Sequence, residues 1–244
     1  LPHFFISSDS ITEGILTISD ENNYKHIAKS LRAKIGEKLL FIDEKQIQHE
    51  GIVQKITSKL IEVKITKSAK SNRKLDFALY LAQSPLRSDA QSLIVEKATE
   101  LGVAGLYPIL TDNCALNKEV INKKIPKWQK TMAEASKQCE RADVPTCFEH
   151  ATIQTLFEKG SFDRIFAFVE RKACYNLKEY LRKNPIKKSE KILVIIGPEG
   201  GFSQDELEFF KQNKIPMLSL GNLILKAETA AFVALGNIIY EYSN

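Results

Sequence analysis

Short apolar runs dominate the first quarter of the chain. Gly14-Ile-Leu-Thr-Ile18, Lys38-Leu-Leu-Phe-Ile42 and the stretch 52–56 predict strands. In Leu60-Ile-Glu-Val-Lys-Ile65, Glu62 and Lys64 alternate with apolar neighbours, the two-residue period of a half-buried strand. One helical period interrupts them: it opens near Asp20, carries Tyr24, Ile27, Ala28 and Leu31 on one face, and ends at Gly36. Strands around a single helix predict a small β-barrel. The next segment, Lys67-Ser-Ala-Lys-Ser-Asn-Arg-Lys74, is polar, basic and serine-rich and reads as a linker.

Beyond it the period changes. Strands are predicted at 75–82, 106–110, 164–169, 191–196 and 216–220. Helices are predicted at 88–101, 117–139 with a break at Pro126, 153–159, 203–212 and from Glu228 onward. Strand and helix alternating at this spacing predict a largely parallel α/β sheet.

Composition narrows the class. With 43% apolar residues in 244, the chain is neither disordered nor low in complexity, and its length suits one large or two modest domains. The longest apolar candidate, 192–196, has the length of a buried strand, far from the roughly 18 residues of a membrane span. No basic start followed by an apolar stretch marks a secretory signal, so a cytoplasmic protein with no membrane partner is expected. Cys114, Cys139, Cys147 and Cys174 form no C-x-x-C pair, and the four histidines stand at no metal-ligand spacing, so thiols are expected and no metal. The net charge of +5 admits a polyanionic partner without establishing one.

In open parallel sheets, ligands bind where strands end and loops begin. Two junctions stand out. In Ile192-Leu-Val-Ile-Ile-Gly-Pro-Glu-Gly-Gly-Phe-Ser-Gln-Asp-Glu206, a buried strand runs into three glycines, and Ser203 with Glu206 forms a capping box. This is neither a Walker loop nor G-x-G-x-x-G, and Glu199 in its middle repels phosphate. A carboxylate beside exposed amides suits hydroxyls or a cationic ligand; a plain tight turn is the alternative. In Met217-Leu-Ser-Leu-Gly-Asn-Leu-Ile-Leu-Lys-Ala-Glu-Thr-Ala-Ala231, three consecutive apolar residues, Leu223, Ile224 and Leu225, occupy a loop. They either plug the core or line a pocket for a flat, apolar-faced ligand. Glu228 alone reads as compensation of a helix dipole. Two such loops in the last quarter of one sheet shift the balance toward a cofactor site.

These segments, together with Glu96-Lys-Ala-Thr-Glu-Leu-Gly-Val103, Trp128 through Gln138, Arg141, Val144-Pro145, His26-Ile-Ala-Lys-Ser-Leu-Arg32 and Gly36 to Asp43, resemble the RsmE family over nearly the whole chain. These are SPOUT-class 16S ribosomal RNA (uridine-N3) methyltransferases. The resemblance implies a PUA-like β-barrel that binds RNA over 1–70. It implies an α/β methyltransferase domain with a parallel sheet and a C-terminal trefoil knot over 75–244. It also implies a homodimer, S-adenosyl-L-methionine as cofactor and 16S rRNA of the small subunit as partner. Carried over by position, the cofactor residues are Phe168, Val169 and Glu170; Ile196, Gly197, Pro198, Glu199, Gly200 and Gly201; Leu218, Leu220, Gly221, Leu223, Ile224, Leu225 and Lys226; and Thr229 and Ala230.

The implied reaction demands that uracil N3 lose its proton while aligned with the methyl donor, and that charge spreading onto O2 and O4 be stabilised. Arg141 and Lys226 are the candidate cations and Glu228 the candidate base or orienting residue; for Arg141 an ion pair with Glu140 or Asp143 is the alternative. Arg32, Lys34, Lys38, Arg73, Lys74 and Arg87 are candidate RNA contacts through phosphate. The chain departs from the family at His3, Asn113, Asn222-Leu223 and Lys226, where arginine or Pro-Arg is usual, and at Glu140, where a small residue is. Lysine does not reproduce the planar fork of arginine. The other readings are methylation of another RNA position or a ribose 2′-hydroxyl, and a non-catalytic RNA-binding assembly factor.

Overall fold

The computed structural model describes residues 3–70, 75–170 and 172–242, apart from the side chain of Ser88. By contact density the chain divides into Leu1–Lys74 with Ser136–Val144, and Leu75–Ala135 with Pro145–Asn244.

The first unit is a six-stranded sheet. Its strands are β1 (His3–Phe5), β2 (Ile11–Thr12), β3 (Ile15–Ile18), β4 (Lys38–Ile42), β5 (Ile47–Ile56) and β6 (Ile61–Lys70), in the order β1-β4-β5-β6-β3-β2. Every ladder is antiparallel except β1 with β4. Among the described residues no ladder joins β1 to β2, so the order is open where the sequence predicted a barrel. Alternation in β6 behaves as expected: Ile61 and Val63 are fully buried, and Lys64 is exposed. They meet Phe4, Leu16, Ile27, Leu39 and Phe41 in the core.

The expected linker begins later than its composition suggests. Residues 67–70 continue β6, paired with 47–50 of β5, and His49 Nδ1 lies 2.8 Å from the Ser68 hydroxyl. Cross-strand pairing overrides a serine-rich composition here. The helix opened by Asp20, whose side chain accepts the Asn23 N–H, is α-helical only over α1 (Glu21–Tyr24). It winds on as a π-helix over Lys25–Ser30, and Arg32 then takes φ 54°, so it ends short of Gly36.

The second unit is built on eight strands: β7 (Ala78–Gln83), β8 (Gly105–Leu110), β9 (Thr146–Cys147), β10 (Ala151–Thr152), β11 (Arg164–Phe168), β12 (Tyr175–Asn176), β13 (Lys191–Ile196) and β14 (Met217–Ser219). Their order is β10-β8-β7-β13-β11-β14-β12, with β9 also beside β8, and every ladder is parallel. Residues 192–196 are buried, as a central strand covered on both faces requires. The helices are α2 (Ser88–Glu100), α3 (Lys118–Gln138), α4 (Ile153–Lys159), α5 (Leu177–Lys183), α6 (Gln204–Gln212) and α7 (Ala227–Tyr242). The sequence reading missed α5 and the strands β1, β2, β9, β10 and β12, which are too short to carry a period, whereas β14 falls within the strand predicted at 216–220.

Pro126 does not break α3. A proline removes one N–H bond from a helix. The buried stripe Ile121, Trp128, Met132 and Ala135 runs across it at helical spacing and holds both halves to one surface. The capping box forms as read: the Ser203 hydroxyl accepts the Glu206 N–H, and Glu206 Oε2 accepts the Ser203 N–H at 2.8 Å. Glu206 is only 6% exposed, and burial, partly offset by these backbone donors, raises its carboxyl above the ordinary range. The folded state therefore holds this proton more tightly than the unfolded chain does. Stability is expected to fall as pH rises from the ordinary carboxylate value through the raised one, and Glu206→Gln is expected to lack that slope. Urea unfolding between about pH 4 and 7 measures both.

Candidate functional site

Parallel pairing brings the carboxyl ends of β13, β11 and β14 to one edge of the sheet. Ile196 lies beside Phe168, and Phe168 beside Leu218. The segments leaving those three strands surround a cavity of about 590 Å³. Both glycine-bearing junctions of the sequence therefore meet in one place, although Gly197 and Leu218 stand 21 positions apart in the chain.

Each junction turns as its residues dictate. Gly201 N–H donates to the Pro198 carbonyl at 2.9 Å, closing a four-residue turn in which Gly201 takes φ 70°. Gly221 takes φ 139°. A side chain is strained at either angle. At Gly197 an added Cβ would stand 3.0 Å from the Phe202 ring, so glycine lets that ring close over the loop. The third segment is anchored on β14: the Val169 N–H reaches the Leu218 carbonyl at 3.0 Å and the Cys174 N–H reaches that of Met217 at 2.9 Å.

Of the residues assigned to the cofactor from sequence, all but Thr229 line the cavity. Thr229 is exposed on α7. Lys226 and Glu228 line it too, whereas Arg141 does not. Arg141 is 11% exposed, and its Nε and Nη2 meet the Asp143 carboxylate at 3.2 and 3.1 Å. Leu223 and Ile224 neither plug the core nor lie wholly inside the cavity. They edge it while 81% and 57% exposed.

Sequence reasoning missed Lys172, Phe202, Leu207, Ser219 and Ala227 on the wall. Phe202 and Ala227 adjoin residues already named. Nothing in the sequence marks Lys172, whose Nζ reaches Gln204 Oε1 at 2.6 Å. The wall thus carries carboxylates at Glu170, Glu199 and Glu228, ammoniums at Lys172 and Lys226, and apolar surface from Ile196, Leu207, Leu218, Leu220 and Leu225. It suits a ligand with an apolar face, hydroxyls and charges of both signs.

The expected RNA contacts lie elsewhere. Arg32, Lys34 and Lys38 are exposed in the first unit, and Arg87 is exposed just before α2. Arg73 and Lys74 lie outside the described residues. Among the departures, His3 is 2% exposed within β1, and Asn113 bonds to the glycine loop. Among the described residues, no group of three or more His, Cys, Asp or Glu is placed to hold a metal, and no helix is long and apolar enough to cross a membrane.

Comparison with known proteins agrees with this architecture. Residues 73–239 match a family model described as an RNA methyltransferase domain, and residues 18–66 match an RNA methyltransferase PUA domain. Ribosomal RNA small subunit methyltransferase E of Rickettsia conorii is 26% identical, covering 96% of this chain and 93% of its own. The protein of that name from Bacillus subtilis is 25% identical, with 88% and 86% covered. The fold is that of ribosomal RNA small subunit methyltransferase E from Neisseria gonorrhoeae, crystallised bound to S-adenosyl methionine. The TM-score is 0.84 at 22% identity, covering 99% of this chain and 98% of that one. With the model covering most of the chain and both junctions inside its span, the chain belongs to the RNA methyltransferase family, as its RsmE-like motifs implied.

Proposed function

We propose that the protein methylates N3 of a specific uridine in 16S ribosomal RNA of the small subunit, with S-adenosyl-L-methionine as methyl donor. The observation that carries this reading is the convergence of both glycine junctions on one cavity of mixed polarity within the span of the family model. The cavity's volume falls in the range of small-molecule sites, roughly 300–1,000 Å³. Its residues fit the cofactor: apolar walls for a purine, carboxylates for ribose hydroxyls, and ammoniums for a carboxylate.

When bound, the cofactor supplies an electrophilic methyl group on sulfonium sulfur. The rest falls to the chain. Glu228 is half-buried on the first turn of α7 and takes the N3 proton on its carboxylate, directly or through water. The Lys226 ammonium, two residues away at the cavity edge, stabilises charge on O2 or O4. Arg141, whose guanidinium meets Asp143, remains the second candidate cation of the proposal, although it does not line the cavity. The apolar walls beside the half-buried Glu228 reduce water around its carboxylate and strengthen its interactions.

The division into an RNA-holding domain over 1–70 and a methyltransferase domain over 75–244 belongs to the same proposal, with Arg32, Lys34, Lys38 and Arg87 on phosphate. So does the trefoil knot. β14 lies between β11 and β12, and the connection from Val169 to Cys174 is bonded to β14 at both ends. The proposed knot has the chain pass beneath this connection on its way from β14 to α7, which packs against α2 and β13. A cytoplasmic homodimer completes the reading. Helix α7 is apolar almost all round, yet Tyr240 is 84% exposed. With Val233 and Gly236 it forms a face suited to a second copy.

Small subunits from a strain lacking the modification, incubated with the protein and methyl-labelled cofactor, are expected to yield N3-methyluridine on digestion to nucleosides. Another labelled nucleoside replaces the target, and no label with cofactor bound favours a binding role. Gly200→Val is expected to weaken cofactor binding about tenfold or more, because its Cβ presses on Asn113 Cβ, 3.3 Å from the ideal position, and displaces the loop. Calorimetry with S-adenosylhomocysteine reads this, and unchanged affinity refutes the placement. Arg141→Ala is expected to lower kcat more than cofactor affinity; equal losses assign it to cofactor binding instead.

A further inference from the structure

The cavity's glycine loop is held from outside by residues that do not line it. Asn113 stands three residues beyond the end of β8, two strands away from β13 in the sheet. Its Nδ2 donates to the Gly201 carbonyl at 3.0 Å and approaches that of Gly200 at 3.4 Å. Beside it, Asp112 accepts a hydrogen bond from the Ser203 hydroxyl and donates its own N–H to Glu206 Oε1 at 3.1 Å. At the loop's other end, Nε2 of the fully buried Gln83 donates to the Gly197 carbonyl at 3.2 Å and the Ser84 carbonyl at 2.8 Å. Ser84 and Thr111 join the two supports through their hydroxyls at 2.7 Å.

We infer that Asn113 is a positioning residue for the cofactor: its side-chain amide fixes the peptide planes of Gly200 and Gly201, and with them the Phe202 N–H on the cavity wall. The inference rests on the proposed cofactor reading. A trans peptide points its N–H opposite to its C=O. Drawing the Gly201 carbonyl toward Asn113 turns the N–H of Phe202, a wall residue, the other way. The Gly200 peptide is fixed on both sides, its carbonyl near Asn113 and the following N–H on Pro198. Glycines resist none of these rotations themselves, so the restraint has to come from a neighbour. Asn113 is exposed, and its hydrogen bonds to the loop come from its side-chain amide, so Asn113→Asp, which keeps the bulk, separates the amide's role from packing.

The test compares Asn113→Ala, which removes the donors, with Asn113→Asp, which keeps the size and sets a carboxylate against two carbonyl oxygens. S-adenosylhomocysteine binding is measured by calorimetry, and KM for each substrate and kcat by methyl transfer to small subunits. Asn113→Ala is expected to weaken binding and raise the KM for the cofactor about three- to tenfold, the range of a net hydrogen bond. Asn113→Asp is expected to exceed it, with kcat, the KM for RNA and the melting temperature close to wild type. Cofactor binding unchanged in both variants overturns the inference. So does a loss confined to the KM for RNA, which makes Asn113 an RNA contact, and so does an equal fall in every parameter, which makes it merely structural. Wild type that binds S-adenosylhomocysteine without methylating uridine sinks the proposed reaction, while the binding comparison still decides on Asn113. Wild type that binds none sinks both.

Discussion

Everything at the functional edge depends on β13 being placed between β7 and β11. Its residues 192–196 are buried, and burial of each such side chain is worth about 1.5–3 kcal/mol. Such a strand is stable only at the centre of a sheet covered on both faces, and parallel pairing then fixes where its carboxyl end emerges. Gly197 leaves the sheet beside the ends of β11 and β7, and β14 pairs on the far side of β11. The loops converge because parallel pairing puts the carboxyl ends of β13, β11 and β14 side by side, and the cavity lies between the segments that leave them.

The cavity's chemistry follows from what those loops are allowed to contain. At the sheet edge the chain turns sharply, and the turns are made by glycine in left-handed conformations at Gly201 and Gly221. A glycine loop leaves room for a ligand to approach the main chain, but it lacks stiffness. Stiffness comes from Gln83 at the end of β7 and from Asp112 and Asn113 just beyond β8, which reach over to the loop. The capping box of α6 serves the same end, since Glu206 accepts N–H groups from both Ser203 and Asp112. One carboxylate thus starts a helix and ties two loops together, and its burial is the cost of doing both.

In the N-terminal unit a similar trade is visible. The π-helical winding over Lys25–Ser30 and the left-handed Arg32 interrupt a segment whose apolar period reads as a plain helix. Ile27 stays in the core while Arg32 and Lys34 stand in solvent. Irregular winding of this kind costs backbone energy, and here it accompanies the basic segment that the proposed function places on RNA.

Legible from the residues alone are the elements with a clear period or an unbroken apolar run. These include β13, the alternating part of β6, the helices around Ile94 and Trp128, the Ser203 capping box and both glycine junctions. Its ordered motifs also pointed to the family. These signals are local: they live in spacings of two to four residues and in backbone preferences. The remaining features arise from contacts between residues far apart in the chain or from packing across a whole element. Residues 67–70 became strand by pairing with β5, and α3 stayed whole through Pro126 because its buried stripe holds both halves. Lys172 joined the cavity, and Asn113 found carbonyls 87 and 88 positions away. Hydrogen-bond partners at such separations are chosen by the packing of whole strands, and no local preference encodes them.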